Sequence, residues 1–269
     1  MASRRTRSMV IVAGVGAVVT LGLLIVTMNT GCPSEERVPA CTRVLFIGNS
    51  YTTVNDLPGV FASLARSGGH RVETKSAAVD GWTLANHADA PATATALTAG
   101  RWDIVVLQEQ SQIPAIEEFR QTQMYPAARR LISAIRNQGA RPLFYLTWGR
   151  RDGWPQTGMP TYASMQSAID DGYLAIAADQ RVATAPVGDA WATLVARGAG
   201  GTLWQPDGSH PTEAGTYLAA CVFYATIFRE SPKGLGYHAS LSPEAATMIQ
   251  EVATDTVLAD PAKWPAPSE

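Results

Sequence analysis

The residues best suited to chemistry lie in two short segments far apart in the chain. Ser50 ends the run Val44-Leu45-Phe46-Ile47-Gly48-Asn49-Ser50, and Asp207-Gly208-Ser209-His210-Pro211 lies near the other terminus. A serine hydroxyl becomes a nucleophile at neutral pH when a base takes its proton, and the base works best with an orienting partner. Asp207, three residues before His210, can reach the ring nitrogen that faces away from Ser50, fixing the tautomer and stabilising the imidazolium formed during attack. Gly48 permits a sharp turn, after which backbone N–H groups, that of Ser50 included, can point at a developing oxyanion. Asn and Ser also favour plain turns and helix caps. His210-Pro211 likewise reads as a helix start, with Pro211 as the first helical residue and Ser209 or His210 as its cap. A turn that starts a helix is a rigid mount for a base, so the two readings are compatible.

Other candidates fall in loops. Trp82, Trp148, Arg150 and Asp152 could line a substrate site, since an aromatic with polar neighbours suits a sugar ring; surface loops around one buried tryptophan would explain them equally well. Asp189, before Trp191, reads as a helix-starting carboxylate. Of the four histidines, His70 precedes a strand and His87 falls in a polar loop, and both read as structural. No His/Cys/Asp cluster has zinc-ligand spacing and no glycine-rich phosphate loop is present, so neither a metal nor an organic cofactor is expected.

Elements that could hold these groups alternate from residue 42 to about 258. Continuous apolar runs at 44–47, 104–107 and 143–146, with weaker ones at 72–74 and 182–185, suit strands covered on both faces. Helical periodicity appears over 57–66, 122–138, 162–178, 212–229 and 243–258. This alternation predicts a three-layer α/β domain with a mostly parallel sheet. Ligands in such folds sit beyond the carboxyl ends of the strands. Ser50, Gln108 to Ser111, and Trp148 to Asp152 each follow a strand, so one rim of the sheet should gather them.

With 269 residues, 46% of them hydrophobic, the chain can bury one sizeable core. Its 16% charged residues and net charge of -2 leave no basic footprint for nucleic acid. Arg4, Arg5 and Arg7 flank an uncharged apolar run at 9–28, which reads as an export signal or membrane anchor that places the domain outside. Residues 1–40 are therefore assigned to a signal or anchor plus linker, 41–260 to the domain and 261–269 to a flexible tail. Cys32 follows Thr30-Gly31 as a bacterial lipoprotein cysteine would, although Asn29 departs from that pattern. Lipidation at Cys32, an uncleaved anchor and ordinary secretion are the alternatives. Cys41 and Cys221 could form a disulfide in an exported protein, or Cys221 could be a buried thiol in its apolar helix.

Gly48-Asn49-Ser50 near one end, with Asp207-x-x-His210 near the other, resembles the SGNH (GDSL-type) hydrolase superfamily over roughly residues 43–228. The resemblance implies a flavodoxin-like three-layer fold and a serine hydrolase using Ser50, His210 and Asp207, of which esterases, lipases, thioesterases and carbohydrate deacetylases are the known kinds. Two blocks depart from the family pattern. Asn49 replaces the usual aspartate, keeping its size but losing its charge. The third block, normally Gly-x-Asn-Asp, is here Leu107-Gln108-Glu109-Gln110-Ser111. By resemblance the oxyanion would be held by Ser50 and Gly81 N–H groups and a third donor, Gln110, with Gln108 as the rival. The expected substrate is a small-molecule or glycan ester, with O-acetyl removal foremost. A lipase or thioesterase, and a non-catalytic carbohydrate-binding module on the same fold, are the alternatives.

Overall fold

A computed structural model describes Cys32 and residues 41–267. The chain forms β1 (Cys41–Gly48), α1 (Ser50–Thr53), α2 (Leu57–Ser67), β2 (Arg71–Ala78), α3 (Leu84–Asp89) and α4 (Pro91–Thr98). It continues through β3 (Ile104–Leu107), α5 (Glu117–Phe119), α6 (Tyr125–Asn137), β4 (Arg141–Tyr145), α7 (Tyr162–Gln180), β5 (Ala183–Ala185), α8 (Val187–Ala196), α9 (Glu213–Phe228) and α10 (Pro243–Leu258). All strand pairs are parallel, in the order β2-β1-β3-β4-β5. The order reverses between β1 and β3, which opens a crevice at their carboxyl ends.

The three inner strands are apolar on both faces because both are covered. Side chains alternate across a strand, so Val44, Phe46, Ile104, Val106, Leu143 and Tyr145 join one core cluster with α2, α8, α9 and α10. Leu45, Ile47, Val105, Leu107 and Phe144 join the other, which contains α6 and α7. Helix α9 is buried from Gly215 to Thr226, which accounts for its almost uninterrupted apolar sequence.

The three-layer parallel architecture and the five long helices match expectation. The short α3 and α4 were not anticipated, whereas α8 begins where Asp189 reads as a helix-starting carboxylate. Pro211 is not helical: Thr212 caps α9 by accepting the Gly215 N–H, and Pro211 forms an isolated bridge with Trp204. Residues 261–267 also differ from the flexible tail expected there. Trp264 is buried in the second cluster, Arg229 donates to its carbonyl at 2.9 Å, and Arg141 donates to the Pro267 carbonyl at 3.2 Å.

Cys41 is bonded to Cys32, not to Cys221, which is a buried free thiol. Cys221 lies inside α9. A sulfur shared in a disulfide cannot also carry a lipid thioether, so this pairing and lipidation at Cys32 exclude one another. Among the described residues no helix is long and apolar enough to cross a membrane, and the run at 9–28 lies outside them.

Candidate active site

Gly48 ends β1 against the Gln108 side chain, where a Cβ would stand 2.4 Å from Oε1. Only glycine lets the strand turn so close to that amide. The Gly48 carbonyl accepts the Val79 N–H at 3.1 Å and Nε2–H of buried His87 at 2.8 Å, while His87 Nδ1 meets the Thr93 hydroxyl at 2.9 Å. Burial lowers the His87 pKa, against the pull of the Gly48 carbonyl.

Asn49 caps α1 and fastens three loops. Its Oδ1 accepts the Tyr51 N–H at 3.1 Å and Gln108 Nε2–H at 2.9 Å, and its Nδ2 donates to the Trp82 carbonyl at 2.8 Å. An aspartate could not make that last bond, so the amide replaces a charge with a tie to the loop bearing Gly81. Ser50 is the first residue of α1, and its N–H has no acceptor within the helix.

His210 arrives on a loop pinned from several sides. Gln205 N–H donates to the His210 carbonyl at 2.8 Å, Arg151 N–H to the Gly208 carbonyl at 2.8 Å and the Trp148 indole to the Ser209 carbonyl at 3.0 Å. Tyr51 lies within 2.7 Å of Ser209 Oγ through its hydroxyl and stacks on Trp148, which stacks on Trp191. Asn55 adds a direct tie. In the left-handed region (φ 56°) it donates from Nδ2 to the Pro211 carbonyl and the Thr216 hydroxyl, both at 3.0 Å. Asparagine tolerates that backbone better than most residues.

These supports put His210 Nε2 3.0 Å from Ser50 Oγ and His210 Nδ1 2.5 Å from Asp207 Oδ2. Asp207 Oδ1 accepts the Ser209 and His210 N–H groups at 2.9 and 3.0 Å. Partial burial raises the Asp207 pKa, but the His210 ring and the two N–H donors outweigh it and hold the carboxyl below its ordinary value. A carboxylate, an imidazole with an N–H toward it and a hydroxyl at the free nitrogen form the line required to activate a nucleophile.

A cleft of about 470 Å³ opens over Ser50 and is also bordered by Gly81, Gln110, Ser111, Arg150 and His210. Gly81 (φ 75°) makes no hydrogen bond through its N–H among the described residues. Gln110 Oε1 accepts the Gln112 N–H at 2.7 Å, while its Nε2 makes only a 3.5 Å contact and stays free to donate. Gln108 is excluded as the third donor. It is fully buried, its Oε1 accepts from Asn49 N–H and the Thr52 hydroxyl, and its Nε2 donates to Asn49 and the Glu109 carbonyl.

Arg150 reaches the cleft, whereas the tryptophans do not. Trp148 is fully buried in the aromatic stack, and Trp82 packs its ring edge-on to His87. Asp152 pairs with Arg151, and Asp189 lies in the first turn of α8 and pairs with Lys263. Asn55, Tyr51 and Glu109 carry positioning roles that no local pattern announced. Among the described residues no three His, Cys, Asp or Glu side chains gather as a cation site would require.

No family model matches the chain, and no curated protein does. Solved structures do. A protein from Slackia heliotrinireducens assigned as an SGNH hydrolase is 31% identical over 69% of this chain and 98% of its own, with a TM-score of 0.60. A DUF4886 family protein from Bacteroides uniformis is 18% identical over 80% of this chain and 94% of its own, with a TM-score of 0.67. The acetylxylan esterase Axe2 from Geobacillus stearothermophilus is 14% identical over 68% and 92%, with a TM-score of 0.50. The last two likenesses concern the fold.

Proposed function

The chain belongs to the SGNH (GDSL-type) hydrolase superfamily, and from that premise we propose that it is a serine esterase. Ser50 Oγ attacks the ester carbonyl while His210 Nε2 takes its proton, and His210 then returns that proton to the leaving alcohol. Asp207 holds the opposite ring nitrogen and offsets the positive charge on the ring. The oxyanion is held by the N–H groups of Ser50 and Gly81 and the Gln110 amide. Water, activated by His210, releases the acid from the acyl-enzyme.

The observation that carries this reading is the unbroken line from Ser50 Oγ through His210 to Asp207, at 3.0 and 2.5 Å. The cleft volume of about 470 Å³ suits a small ester or one sugar unit of a glycan, and O-acetyl removal is the proposed reaction. Export fits a chain whose Cys32 and Cys41 are joined, because disulfides persist in oxidising compartments. Ser50→Ala should lower turnover of p-nitrophenyl acetate by about 10⁴-fold or more with an unchanged circular-dichroism spectrum. Unchanged turnover, or no labelling of Ser50 in the parent protein by a fluorophosphonate, would sink the reading and favour a binding module.

A further inference from the structure

Arg150 follows β4 in a turn whose backbone is tied down on both sides. Gly149 N–H donates to the Gln166 side chain at 2.8 Å, and the Gly149 carbonyl accepts the Trp204 indole N–H at 3.2 Å. The Arg150 carbonyl accepts the Gly153 N–H at 3.0 Å, and the next residue, Arg151, donates its N–H to the loop that carries Asp207 and His210. The root of the Arg150 side chain is thereby fixed relative to the base.

Its charge is left unmatched. Arg151 pairs with Asp152 at 3.1 Å, but among the described residues no carboxylate pairs with Arg150. The Arg150 Nε is buried and meets no acceptor among the described residues. An unpartnered buried donor costs free energy, and a guanidinium cannot escape that cost by losing its proton. A ligand carrying an acceptor would remove it. Among the described residues neither carboxylate near the cleft pairs with Arg150: Asp207 meets His210, and Asp80 accepts the Thr53 hydroxyl at 3.1 Å.

We propose that Arg150 binds a carboxylate of the substrate, so that the preferred ester carries a negative charge within one sugar ring or one short acyl chain of the scissile carbonyl. This rests on the esterase reading above and adds the class of ester. The planar fork of a guanidinium matches a carboxylate through two parallel hydrogen bonds, and the match strengthens where water is thinned out. Asp80, also bordering the cleft, repels a carboxylate placed on its side and so favours the orientation toward Arg150. The carboxylate could belong to the acyl part, as in a dicarboxylic half-ester, or to the alcohol part, as in an acetylated uronic acid.

Two matched pairs of esters separate these sources: p-nitrophenyl butyrate against p-nitrophenyl hemisuccinate, and acetylated methyl glucoside against acetylated methyl glucuronoside. In the parent protein one pair should show kcat/KM for the charged member higher by about tenfold or more, the size of one charge-assisted hydrogen bond. That ratio should fall toward one in Arg150→Gln, fall less in Arg150→Lys, and shrink as salt is raised. Calorimetry on Ser50→Ala gives a readout free of turnover, in which succinate or methyl glucuronoside should bind and lose affinity when Arg150→Gln is added. Equal turnover within both pairs, or a preference that survives Arg150→Gln, would overturn the assignment of Arg150 while leaving the esterase intact. Absence of turnover on all four esters, with Ser50 unlabelled, would overturn the esterase reading itself.

Discussion

Glu109 Oε1 accepts the N–H groups of Leu84 and Gln110 at 3.0 and 2.7 Å, so one carboxylate oxygen fastens the loop after Gly81 to the loop of the proposed third oxyanion donor. Its Oε2 is buried without a partner among the described residues. Burial pushes the Glu109 pKa up to about 7 from 4.5, against the pull of the two N–H groups. The folded protein therefore binds this proton more tightly than the unfolded chain. The resulting stabilisation is fully present below about pH 4.5 and is lost as pH rises through about 7. Glu109→Gln keeps an oxygen for both N–H groups and removes the ionisation. Between pH 4.5 and 8 the parent should lose stability relative to this variant, by up to about 3 kcal/mol, in urea melts run side by side. A difference constant with pH would mean that Glu109 does not titrate across this range. The sequence at this scale showed which residues stand here but not which atoms they engage. Asn49 looked like a lost charge until its amide was found on the Trp82 carbonyl. Gln108 and Gln110 were interchangeable as letters, and only burial and saturated bonding told them apart.

Among the elements, α9 bears directly on His210 because its first turn follows the His210 loop. Gly215 in that turn faces Trp191 and the Leu203 carbonyl, where a Cβ would stand 2.6 and 2.7 Å away. Neither a packed indole nor a backbone carbonyl retreats cheaply. Gly215→Ala should cost about 1–3 kcal/mol, read from urea midpoints, and should lower kcat/KM by more than Gly236→Ala, whose Cβ would meet nothing within 4 Å. Equal effects of the two substitutions would separate α9 from the positioning of His210. The strands and long helices were legible because two covered sheet faces demand continuous apolar runs and a covered helix demands a 3.6-residue period. Helices α3 and α4 were not, being six and eight residues long, too short to display a period. Of α8 only the start was legible, at Asp189, because its alanines mark no face. The Pro211 reading failed because Thr212 is the better cap, its hydroxyl accepting the Gly215 N–H.

Across the whole molecule, the chain closes on itself through its last described residues. Trp264 is buried in the core cluster on the α6 and α7 side of the sheet. Trp264→Ala should lower stability by about 3–5 kcal/mol, seen as a fall in Tm, whereas a loose tail would leave Tm unchanged. Its setting was illegible because proline-rich composition resembles a linker, and nothing local says that one indole will find a socket in a distant core. The rim shared by Ser50, Gln110 and Arg150 was legible from topology alone, since each follows a parallel strand. The fixation of the Asp207 to His210 loop by Asn55, Tyr51 and Trp148 was not, because those contacts join residues remote in sequence. That remoteness has a consequence in time. Ser50 and His210 are 160 residues apart, so at roughly 5–20 residues per second a growing chain would carry its serine for about 10–30 s before the histidine is made. During synthesis the serine has no base. The Ser50–His210 pair comes into being late, when of the described helices only α9 and α10 are still to be made, so on the esterase reading the emerging chain carries no assembled centre.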